Sequence, residues 1–408
     1  MKHELQVKIL KELMQQLDDG RNIDAGIQYR MPTSAYTCPE VAAKERELFF
    51  REHPQLIGLS GDLPEPGSYL TMNDFGIPLL ATRDKDGQFR AFLNACRHRS
   101  VQVASEARGR KNVFTCPFHR WSYANTGKLL NIPDEAHFGS IDKACHSLIE
   151  LPSTEQHGLL WVHPNPDATL DIEALLGVDL AAELASFKVQ NHRLVGEKTI
   201  TMNLNWKFAN DTFGETYHFG KLHSDTLGQL YHGNNLHMHE FGRHHRFVTA
   251  SRGIDAMRSL PEEEWNIAQG TFVLYHLFPN IQYLVDTNTA TLIRIYPDPH
   301  HSGRSTTKIT FYYTEEALAQ VDPDMAYDSS NVYDFETRAN LGGVEALLEV
   351  FHSTVEQEDY LMGEMQQQAA ESGALDTIIF GRNEPALHHF HRNYRDALGL
   401  PPLEPVSI

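Results

Sequence analysis

Cys96-Arg97-His98 is followed, after seventeen intervening residues, by Cys116-Pro117-Phe118-His119. Each motif holds one thiol and one imidazole close enough in sequence to bind a single metal centre from one loop. Together the motifs use two of the four Cys and two of the 23 His in the chain, an arrangement that chance rarely produces. The spacing therefore predicts a metal centre that these two Cys and two His hold.

The mixed ligand set is compatible with two kinds of centre. A structural zinc ion also takes two Cys and two His, but zinc sites commonly pair Cys with Cys and His with His. Here each half holds one of each, which favours a Rieske [2Fe–2S] cluster, where one iron takes both thiolates and the other both imidazoles. The segments 92–94 and 113–115 that lead into the two motifs are typical of strands.

Composition excludes several classes of protein. The chain has 408 residues, 41% hydrophobic and 22% charged, which is typical of a globular protein and not of a disordered, collagenous or coiled-coil one. Its net charge of −19 argues against nucleic acid or an anionic membrane as partner. The four Cys are too few for a disulfide scaffold, no apolar run is long enough for a membrane span, and the N-terminus lacks the order of a signal peptide. A cytoplasmic location is therefore expected.

Apolar spacing divides the chain into three regions. Residues 5–17 are predicted to form an amphipathic helix that ends at Gly20, and residues 39–50 a second helix. From 56 to 164 the pattern becomes strand-like, and helical spacing returns at 170–184 and 344–366. Alternation predicts half-buried antiparallel strands at Ile281, Tyr283 and Val285 and at Ile309, Phe311 and Tyr313. We expect an N-terminal helical segment at 1–39, an all-β domain at 40–165 and an α+β domain at 166–408.

A second set of metal-binding side chains follows in the α+β region. His218 and His223 are about 500° apart on a regular helix, so they meet at one ion only if the helix ends or bulges between them, for which Gly220 is suited. In the helical stretch 344–366, Asp359 lies on the apolar stripe, where a carboxylate needs a partner. Two His and one Asp form the facial triad of non-haem iron oxygenases. The stripe is formed by Leu348, Phe351, Val355 and Met362.

With both motifs in this order, residues 35–395 resemble the catalytic alpha subunits of the Rieske non-haem iron oxygenases, which include aromatic ring-hydroxylating dioxygenases and demethylases. The resemblance implies an N-terminal all-β Rieske domain and a helix-grip-like catalytic domain, in which helices pack on a curved antiparallel sheet. It also implies the cofactors. One iron of the [2Fe–2S] cluster is held by Cys96 and Cys116, the other by His98 and His119, and a mononuclear Fe(II) by His218, His223 and Asp359.

Glu215 lies three residues before His218. In the family, an acidic residue at this offset joins a Rieske His of the neighbouring subunit to an iron-ligand His and provides the route for electrons. The commoner residue there is Asp, and Glu occurs among enzymes that hydroxylate or demethylate quaternary ammonium compounds. The resemblance thus implies that Glu215 is the electron relay.

The implied function is that of a terminal oxygenase in a multicomponent system. A separate reductase or ferredoxin delivers electrons that come from NAD(P)H, and O2 and substrate meet at the mononuclear iron. Because the relay crosses between subunits, a homotrimer is expected, and some members of the family add a small β subunit. The expected substrate is a small, mainly apolar aromatic compound that is hydroxylated or dihydroxylated.

Other functions remain open. A quaternary ammonium hydroxylase or demethylase would need a buried acid or an aromatic cage around its cationic substrate. The side chains available for a cage are Phe208, Phe213, Phe219, Tyr231 and Phe241. A protein of another class, an electron-transfer Rieske protein with a non-catalytic ligand-binding domain, would not depend on His218. A zinc-stabilised interaction protein would leave the second set of ligands unexplained.

The remaining polar residues have ordinary interpretations. Asp211 stands where many relatives have Asn near the iron, or it is a helix N-cap or a surface acid. Tyr217 beside His218 matches the family, and a packed core tyrosine explains it equally well. Cys38 and Cys145 are expected to be small buried hydrophobes. Most of the five His between residues 230 and 247 are expected in loops or in the substrate pocket rather than at a further metal.

Overall fold

The computed structural model describes residues 1–321 and 343–406. Its strands are β1 (Tyr29–Pro32), β2 (Gln55–Leu59), β3 (Ser68–Met72), β4 (Leu79–Arg83), β5 (Phe89–Leu93), β6 (Arg108–Arg110), β7 (Val113–Thr115), β8 (Ser122–Ala124), β9 (Leu129–Asn131), β10 (Glu150–Leu151), β11 (Ser153–Gln156), β12 (Leu159–Val162), β13 (Arg193–Met202), β14 (His237–Phe241), β15 (His244–Ala250), β16 (Thr271–Leu277), β17 (Ile281–Val285), β18 (Thr289–Pro297), β19 (Ser305–Tyr313), β20 (Thr377–Phe380) and β21 (Glu404–Pro405).

The α-helices are α1 (His3–Asp19), α2 (Ser34–Thr37), α3 (Pro39–Glu45), α4 (Ile172–Leu176), α5 (Val178–Ala185), α6 (Trp206–Asp211), α7 (Leu227–Leu230), α8 (Ile254–Met257), α9 (Ile267–Gly270), α10 (Glu315–Leu318), α11 (Val344–Thr354), α12 (Tyr360–Glu371) and α13 (Pro385–Ala397). Two segments are π-helical, Arg46–Arg51 and Val355–Asp359. Short 3-10 turns occupy Ser60–Asp62, Glu135–Phe138, Ala144–His146, Val189–Asn191 and Glu262–Glu264.

The described chain divides into two compact units. One holds residues 1–44, 176–187 and the described residues from 195 onward, and the other holds residues 45–175 and 188–194. The second, called here the β unit, is built mainly from strands, whereas the first, the α+β unit, combines a large sheet with helices. The predicted fold class, an all-β domain followed by an α+β domain, is confirmed. The bounds 1–39, 40–165 and 166–408 stay a prediction.

The β unit places both Cys-His motifs directly after strands. Its antiparallel sheets have the strand orders β10-β5-β4-β3-β6, β11-β12-β2 and β7-β8-β9. Strand β5 ends just before the first motif and β7 just before the second, so the strands predicted at 92–94 and 113–115 are confirmed apart from one residue at the first. A single apolar core underlies both motifs; it includes Tyr69, Leu80, Phe92, Phe114, Trp121 and Tyr123.

The α+β unit is organised by a seven-stranded antiparallel sheet with the order β13-β19-β18-β17-β16-β15-β14. Neighbours in the sheet are also neighbours along the chain, except for β13 beside β19. Because side chains alternate between faces, residues in register across the strands share one face. One such row, called here the cavity row, consists of Phe247, Leu274, Leu284, Thr291 and Phe311.

The central strands are buried on both faces. The predicted antiparallel pairing of these strands is confirmed. The prediction that β17 and β19 are buried on one face only is wrong, because Gln282 and Tyr312 are buried as well as the residues that alternate with them. On one face Gln282 Nε2 donates to Asn210 Oδ1 of α6 at 2.9 Å, and on the other the Tyr275 hydroxyl donates to Glu183 of α5. Helices thus cover both sides of the sheet.

The predicted helices form with local departures. Helix α1 ends where Gly20 adopts φ +60°, which a residue without Cβ reaches without strain. The stretch 39–50 is helical but becomes π-helical after Glu45, and the stretch 170–184 is divided by Gly177 into α4 and α5. Among the described residues, no helix is long and apolar enough to span a membrane.

The helix predicted at 344–366 contains a π-helical turn that changes its buried face. Leu348, Val355 and Asp359 are buried as predicted. The prediction that Met362 is buried is wrong, since this residue is 37% exposed. The π turn at Val355–Asp359 takes one residue more than an α turn. Residues after it are therefore rotated around the axis, and Tyr360 is buried instead.

We expect Gly127→Ala to destabilise the β unit more than Gly87→Ala does. Both glycines have positive φ, +79° and +78°, so either change imposes about 1–2 kcal/mol of backbone strain. A Cβ at Gly127 would also overlap the Phe92 ring, whereas at Gly87 it meets nothing within 4 Å. The additional overpacking should lower the free energy of unfolding by at least about 1 kcal/mol more, measured by urea titration. Equal losses in the two variants would contradict the close approach of Phe92.

Candidate metal centres

The two Cys-His loops of the β unit share one backbone conformation. In each loop, the backbone N–H of the Cys donates to the carbonyl oxygen of the residue five positions later. The backbone N–H of the residue four positions later, here called the fourth residue, donates to the carbonyl oxygen of the Cys. The N···O distances of these hydrogen bonds are 2.8–3.1 Å. The fourth residues, Ser100 and Arg120, have φ of +59° and +61°. The loops therefore present Cys96 and Cys116 from equivalent positions, although the His follows two residues later in one loop and three in the other.

The four predicted ligands converge. Cys96 and Cys116 are buried, and the ring centroids of His98 and His119 lie 4.5 Å apart. Burial raises the pKa of the Cys116 thiol, two backbone N–H groups aimed at it lower that pKa, and the nearby Cys96 thiol raises it again. Nδ1 of His98 is buried with no hydrogen-bond partner among the described residues, a costly state for a ring nitrogen unless it binds a metal or water. Two adjacent thiols and two adjacent imidazoles with a free nitrogen fit a [2Fe–2S] cluster.

Tyr123 contacts this site and was not predicted from the motifs. Its hydroxyl accepts from the Arg97 N–H at 3.0 Å and lies 3.3 Å from Cys96 Sγ. Since a thiolate has no proton, the tyrosine would donate to it, and burial keeps the phenol protonated by raising its pKa. Hydrogen bonds to ligand sulfurs tune the reduction potential of such clusters. The alternation of β8 shows only that Tyr123 faces one side, so its sulfur contact requires the folded loops.

In the α+β unit, His218 and His223 lie in turns rather than on a helix. Helix α6 ends at Asp211, and no regular helix resumes until Leu227. The two His therefore do not share a regular helix, as their convergence requires, but the predicted break at Gly220 is wrong, because the helix ends before both of them. Their ring centroids are 4.9 Å apart, and His223 is completely buried.

Asp359 meets both imidazoles. Its Oδ1 lies 3.1 Å from Nε2 of His223 and 3.4 Å from Nε2 of His218. The three ligand atoms all lie within 4.8 Å of one another, and no other set of His, Cys, Asp or Glu in the described residues is arranged in this way. Two ligands at about 2.1 Å from one ion, meeting at right angles, are roughly 3 Å apart. These residues therefore fit a single metal ion.

Two further carboxylates hold the opposite ring nitrogens. Glu215 contacts Nδ1 of His218, and Glu358 Oε2 accepts from Nδ1 of His223 at 2.6 Å. Burial lowers the pKa of His218, but Asp359 and Glu215 outweigh it and raise that pKa to about 10. With each Nδ1 engaged as a donor, the two Nε2 atoms are left to bind a cation.

Glu358 was missed by sequence reasoning. It also accepts from Thr226 Oγ1 at 3.0 Å, which fixes its carboxylate. On an α-helix, neighbouring residues point about 100° apart. In the π turn, Glu358 and Asp359 nevertheless reach opposite nitrogens of one ring. The only signal in the sequence is the consecutive pair of acids.

Asp211 is neither an N-cap nor a surface acid, so both of these interpretations are wrong. It is the last residue of α6, and its carboxylate accepts from Tyr36 at 2.8 Å and from His391 Nε2 at 2.9 Å. Tyr36 and His391 are both buried. The pair anchors the end of α6, from which the chain continues to Glu215.

Three other side chains differ from expectation. Tyr217 is 60% exposed, not a core residue, because Glu215 and His218 beside it turn inward. Cys145 is exposed on a 3-10 turn and Cys38 is only half-buried. The expectation of loop or pocket positions is wrong for four of the five His in the His-rich segment, namely His237, His239, His244 and His245, which lie in β14 and β15. His232 lies in the irregular segment before β14, as expected. None of the five is among the described residues that line the cavity described next.

A cavity of about 880 Å³ opens beside His218, His223 and Asp359. The whole cavity row lines it, together with the aromatic residues Phe213, Phe219, Tyr231 and Phe272. Of the side chains considered for an aromatic cage, Phe208 and Phe241 are not among the described lining residues. Phe208 instead stacks on Tyr36, with the ring centroids 3.6 Å apart. The triad thus faces a largely apolar chamber.

The two curated relatives described next match this chain over about half of their own length. The oxygenase subunit of carnitine monooxygenase from Acinetobacter baumannii is 29% identical over 197 residues, 48% of this chain and 53% of that protein. The alpha subunit of benzene 1,2-dioxygenase from Pseudomonas putida is 29% identical over 196 residues, 47% of this chain and 43% of that protein.

Solved structures share the fold at low identity. A quaternary ammonium Rieske monooxygenase has a TM-score of 0.73 at 20% identity, covering 91% of this chain and 96% of that one. Naphthalene 1,2-dioxygenase has a TM-score of 0.65 at 19% identity, covering 93% and 94%.

Two family descriptions match the chain itself. Residues 53–151 match the Rieske [2Fe–2S] domain. Residues 189–400, more than half of the chain, match the ring hydroxylating alpha subunit (catalytic domain). The first match implies the cluster and the second a mononuclear iron. Together with the geometry of the two centres, they place this chain in the family of ring hydroxylating alpha subunits, the Rieske non-haem iron oxygenases.

Proposed function

We propose that the protein is the terminal oxygenase of a Rieske system, which uses O2 to hydroxylate or dihydroxylate a small aromatic compound. The observation that carries this proposal is the convergence of two imidazoles and one carboxylate on a large apolar cavity. A facial triad of this kind leaves coordination positions open. When bound, the cluster supplies electrons one at a time and the mononuclear iron a site for O2.

Each residue has a proposed role in binding these groups. Cys96, His98, Cys116 and His119 hold the cluster, and His218, His223 and Asp359 hold the mononuclear iron. Glu215 and Glu358 orient the two imidazoles through their Nδ1 protons, and Glu215 is in addition the proposed electron relay. The apolar cavity wall excludes water from the reacting substrate.

The proposed partners follow from the family. Electrons come from NAD(P)H through a separate reductase or ferredoxin in the cytoplasm, and the subunits form a homotrimer, with or without a β subunit. No nucleic acid or membrane takes part. The catalytic and Rieske domains are proposed at 166–408 and 40–165, after an N-terminal segment at 1–39.

A second candidate is the oxidation of a quaternary ammonium compound. It is favoured by Glu at position 215, by the similarity to relatives named for carnitine and glycine betaine, and by the aromatic residues Phe219 and Tyr231 in the cavity. An electron-transfer protein without oxygenase activity is disfavoured, because it gives the triad no purpose.

Metal analysis tests the proposal. Anaerobically purified protein is expected to hold about three iron and two acid-labile sulfide per chain. His218→Ala should lose one iron and keep the sulfide, since the cluster has other ligands. The control His239→Ala, an exposed residue of β14, should retain all three iron. One zinc without sulfide would refute the oxygenase, and unchanged iron in His218→Ala would refute its role as ligand.

We expect Glu358→Ala to weaken Fe(II) binding about 10–100-fold, as removal of a carboxylate behind a ligand His commonly does. Glu358→Gln should recover part of the affinity, because its amide oxygen still accepts from Nδ1 of His223. The measurement is a titration of the iron-depleted mononuclear site with Fe(II) against a competing chelator.

Glu356→Ala provides the matched control for this series. Glu356 lies in the same π turn, but its side chain is 37% exposed and makes no contact with His223. An equal loss of affinity in Glu356→Ala and Glu358→Ala would show that the helix, not the hydrogen bond, is responsible.

A further inference from the structure

Four buried histidines outside the metal centres meet between the large sheet and α13. His244 and His245 come from β15, His276 from β16 and His389 from α13, and each is at most 3% exposed. The ring centroid of His245 lies 4.9 Å from that of His276 and 5.1 Å from that of His389. None of the four is among the described residues that line the cavity. We call them the histidine cluster.

Hydrogen bonds keep two members of the cluster neutral. The backbone N–H of Phe278 donates to Nδ1 of His244 at 3.0 Å, and Gln282 Nε2 donates to Nδ1 of His276 at 3.1 Å. A ring nitrogen that accepts a hydrogen bond carries no proton, so each of these neutral rings has its proton at Nε2. Either imidazole can become charged only by giving up the hydrogen bond at Nδ1.

The contact between His245 and His389 holds a single proton. Nε2 of His389 donates to the carbonyl oxygen of Gly242 at 2.9 Å, since a carbonyl oxygen only accepts. In the neutral ring, Nδ1 of His389 is then an acceptor, and it receives the Nδ1–H of His245 at 3.0 Å. A second proton on His389 would place two N–H groups against each other.

The charges around the cluster oppose the uptake of protons. Burial, followed by the neighbouring imidazoles, holds the pKa of His245 and of His276 well below the usual value. Burial also lowers the pKa of His389, and Glu240 of β14, with Oε2 3.7 Å from Nε2, opposes this effect. Glu240 is half exposed and also binds Arg392 of α13. The cluster is therefore stable only while its imidazoles are neutral.

Other groups face the cluster from α13, α6 and β17. His388 of α13 is a further imidazole, and burial lowers its pKa as well. Asp211 at the end of α6 is engaged by His391 at 2.9 Å. Gln282 of β17 and Asn210 of α6, which contact each other at 2.9 Å, are uncharged. These groups add no negative charge that could compensate a protonated imidazole.

Helix α13 also supports the turn that leads to Glu215. His391 donates from α13 to Asp211, and the backbone N–H of Gly214 donates to the carbonyl oxygen of Asp211 at 2.9 Å. A Cβ at Gly214 would overlap Leu387 of α13, so helix and turn are in close contact. Both α13 residues lie within two positions of the cluster member on that helix. Displacement of α13 would therefore release this turn.

We infer that the histidine cluster is an acid-sensitive latch, which holds α13 on the sheet while its imidazoles are neutral and releases α13 and the turn before Glu215 when they are protonated. An imidazole has a pKa of about 6.5 once α13 is open and a lower one while it is closed, so the open state binds more protons. The latch is at full strength above about pH 6.5 and weakens as the pH falls below it. It does not depend on the proposed oxygenase activity.

Amide hydrogen exchange, measured by mass spectrometry on the metal-loaded protein, tests this inference. Each imidazole that takes up a proton only in the open state favours opening about eightfold between pH 7 and pH 5.5. With two or more such imidazoles, opening of α13 should increase at least about fiftyfold after correction for the intrinsic exchange rate. The turn before Glu215 should lose protection at the same pH. Helix α1, which contributes no residue to the cluster, is the internal reference and should change less.

Iron, sulfide and the absorption of the cluster cofactor are measured at each pH, because loss of metal would also loosen the protein. Protection of α13 that is independent of pH would overturn the inference. Opening that begins only after iron or sulfide is lost would overturn it too, as would opening of α13 while the turn before Glu215 stays protected.

A variant identifies the groups that respond to acid. His245→Asn removes one titratable group and keeps a side-chain N–H near the position of Nδ1, so the pH response of α13 should be about eightfold smaller. The control His239→Asn, at an exposed residue of β14, should leave the response unchanged. An unaltered response in His245→Asn would show that the cluster is not the sensor. If this variant does not fold, the exchange of the unaltered protein decides.

Discussion

The approach of the Asp359 carboxylate to the imidazoles of His218 and His223 is the contact around which the α+β unit is arranged. Asp359 lies 136 residues after His223 in the sequence, yet the ligand atoms of the three side chains all lie within 4.8 Å of one another. Two local irregularities permit this. Helix α6 ends before the two His, so that they are not held on opposite sides of a cylinder, and the π turn rotates Asp359 and Glu358 toward the same ring.

One buried carboxyl group, Asp359, and two partly buried ones, Glu215 and Glu358, surround two imidazoles and would repel one another without a cation. Asp359 contacts both Nε2 atoms while Glu215 and Glu358 occupy the Nδ1 atoms, so the residues concentrate negative charge at one point. A divalent ion balances this charge and at the same time explains why each ring is fixed in one orientation. The two Cys-His loops of the β unit bring their ligands together in another way. Two loops of the same conformation bring buried thiols together, and an otherwise unpaired Nδ1 of His98 is left for a metal.

The cavity is a product of sheet register. Phe247, Leu274, Leu284, Thr291 and Phe311 come from five strands and share one face only because those strands pair in this alignment. A shift of one residue in any strand would turn its member of the row to the opposite face. The polarity of the chamber, and hence the class of substrate that it accepts, therefore depends on long-range pairing rather than on any local motif.

The sequence by itself determined the fold class, the family and the candidate ligands, because metal ligation requires particular side chains at short, recognisable spacings. It also determined α1 and the strands before the two motifs, since these depend on local periodicity and on glycine. Only the tertiary structure decided the exposure of Met362, the anchoring of Asp211 by Tyr36 and His391, and the role of Glu358. Each of these depends on which distant element packs against the residue or on one extra residue in a helical turn, and neither is encoded in the spacing of neighbours along the chain.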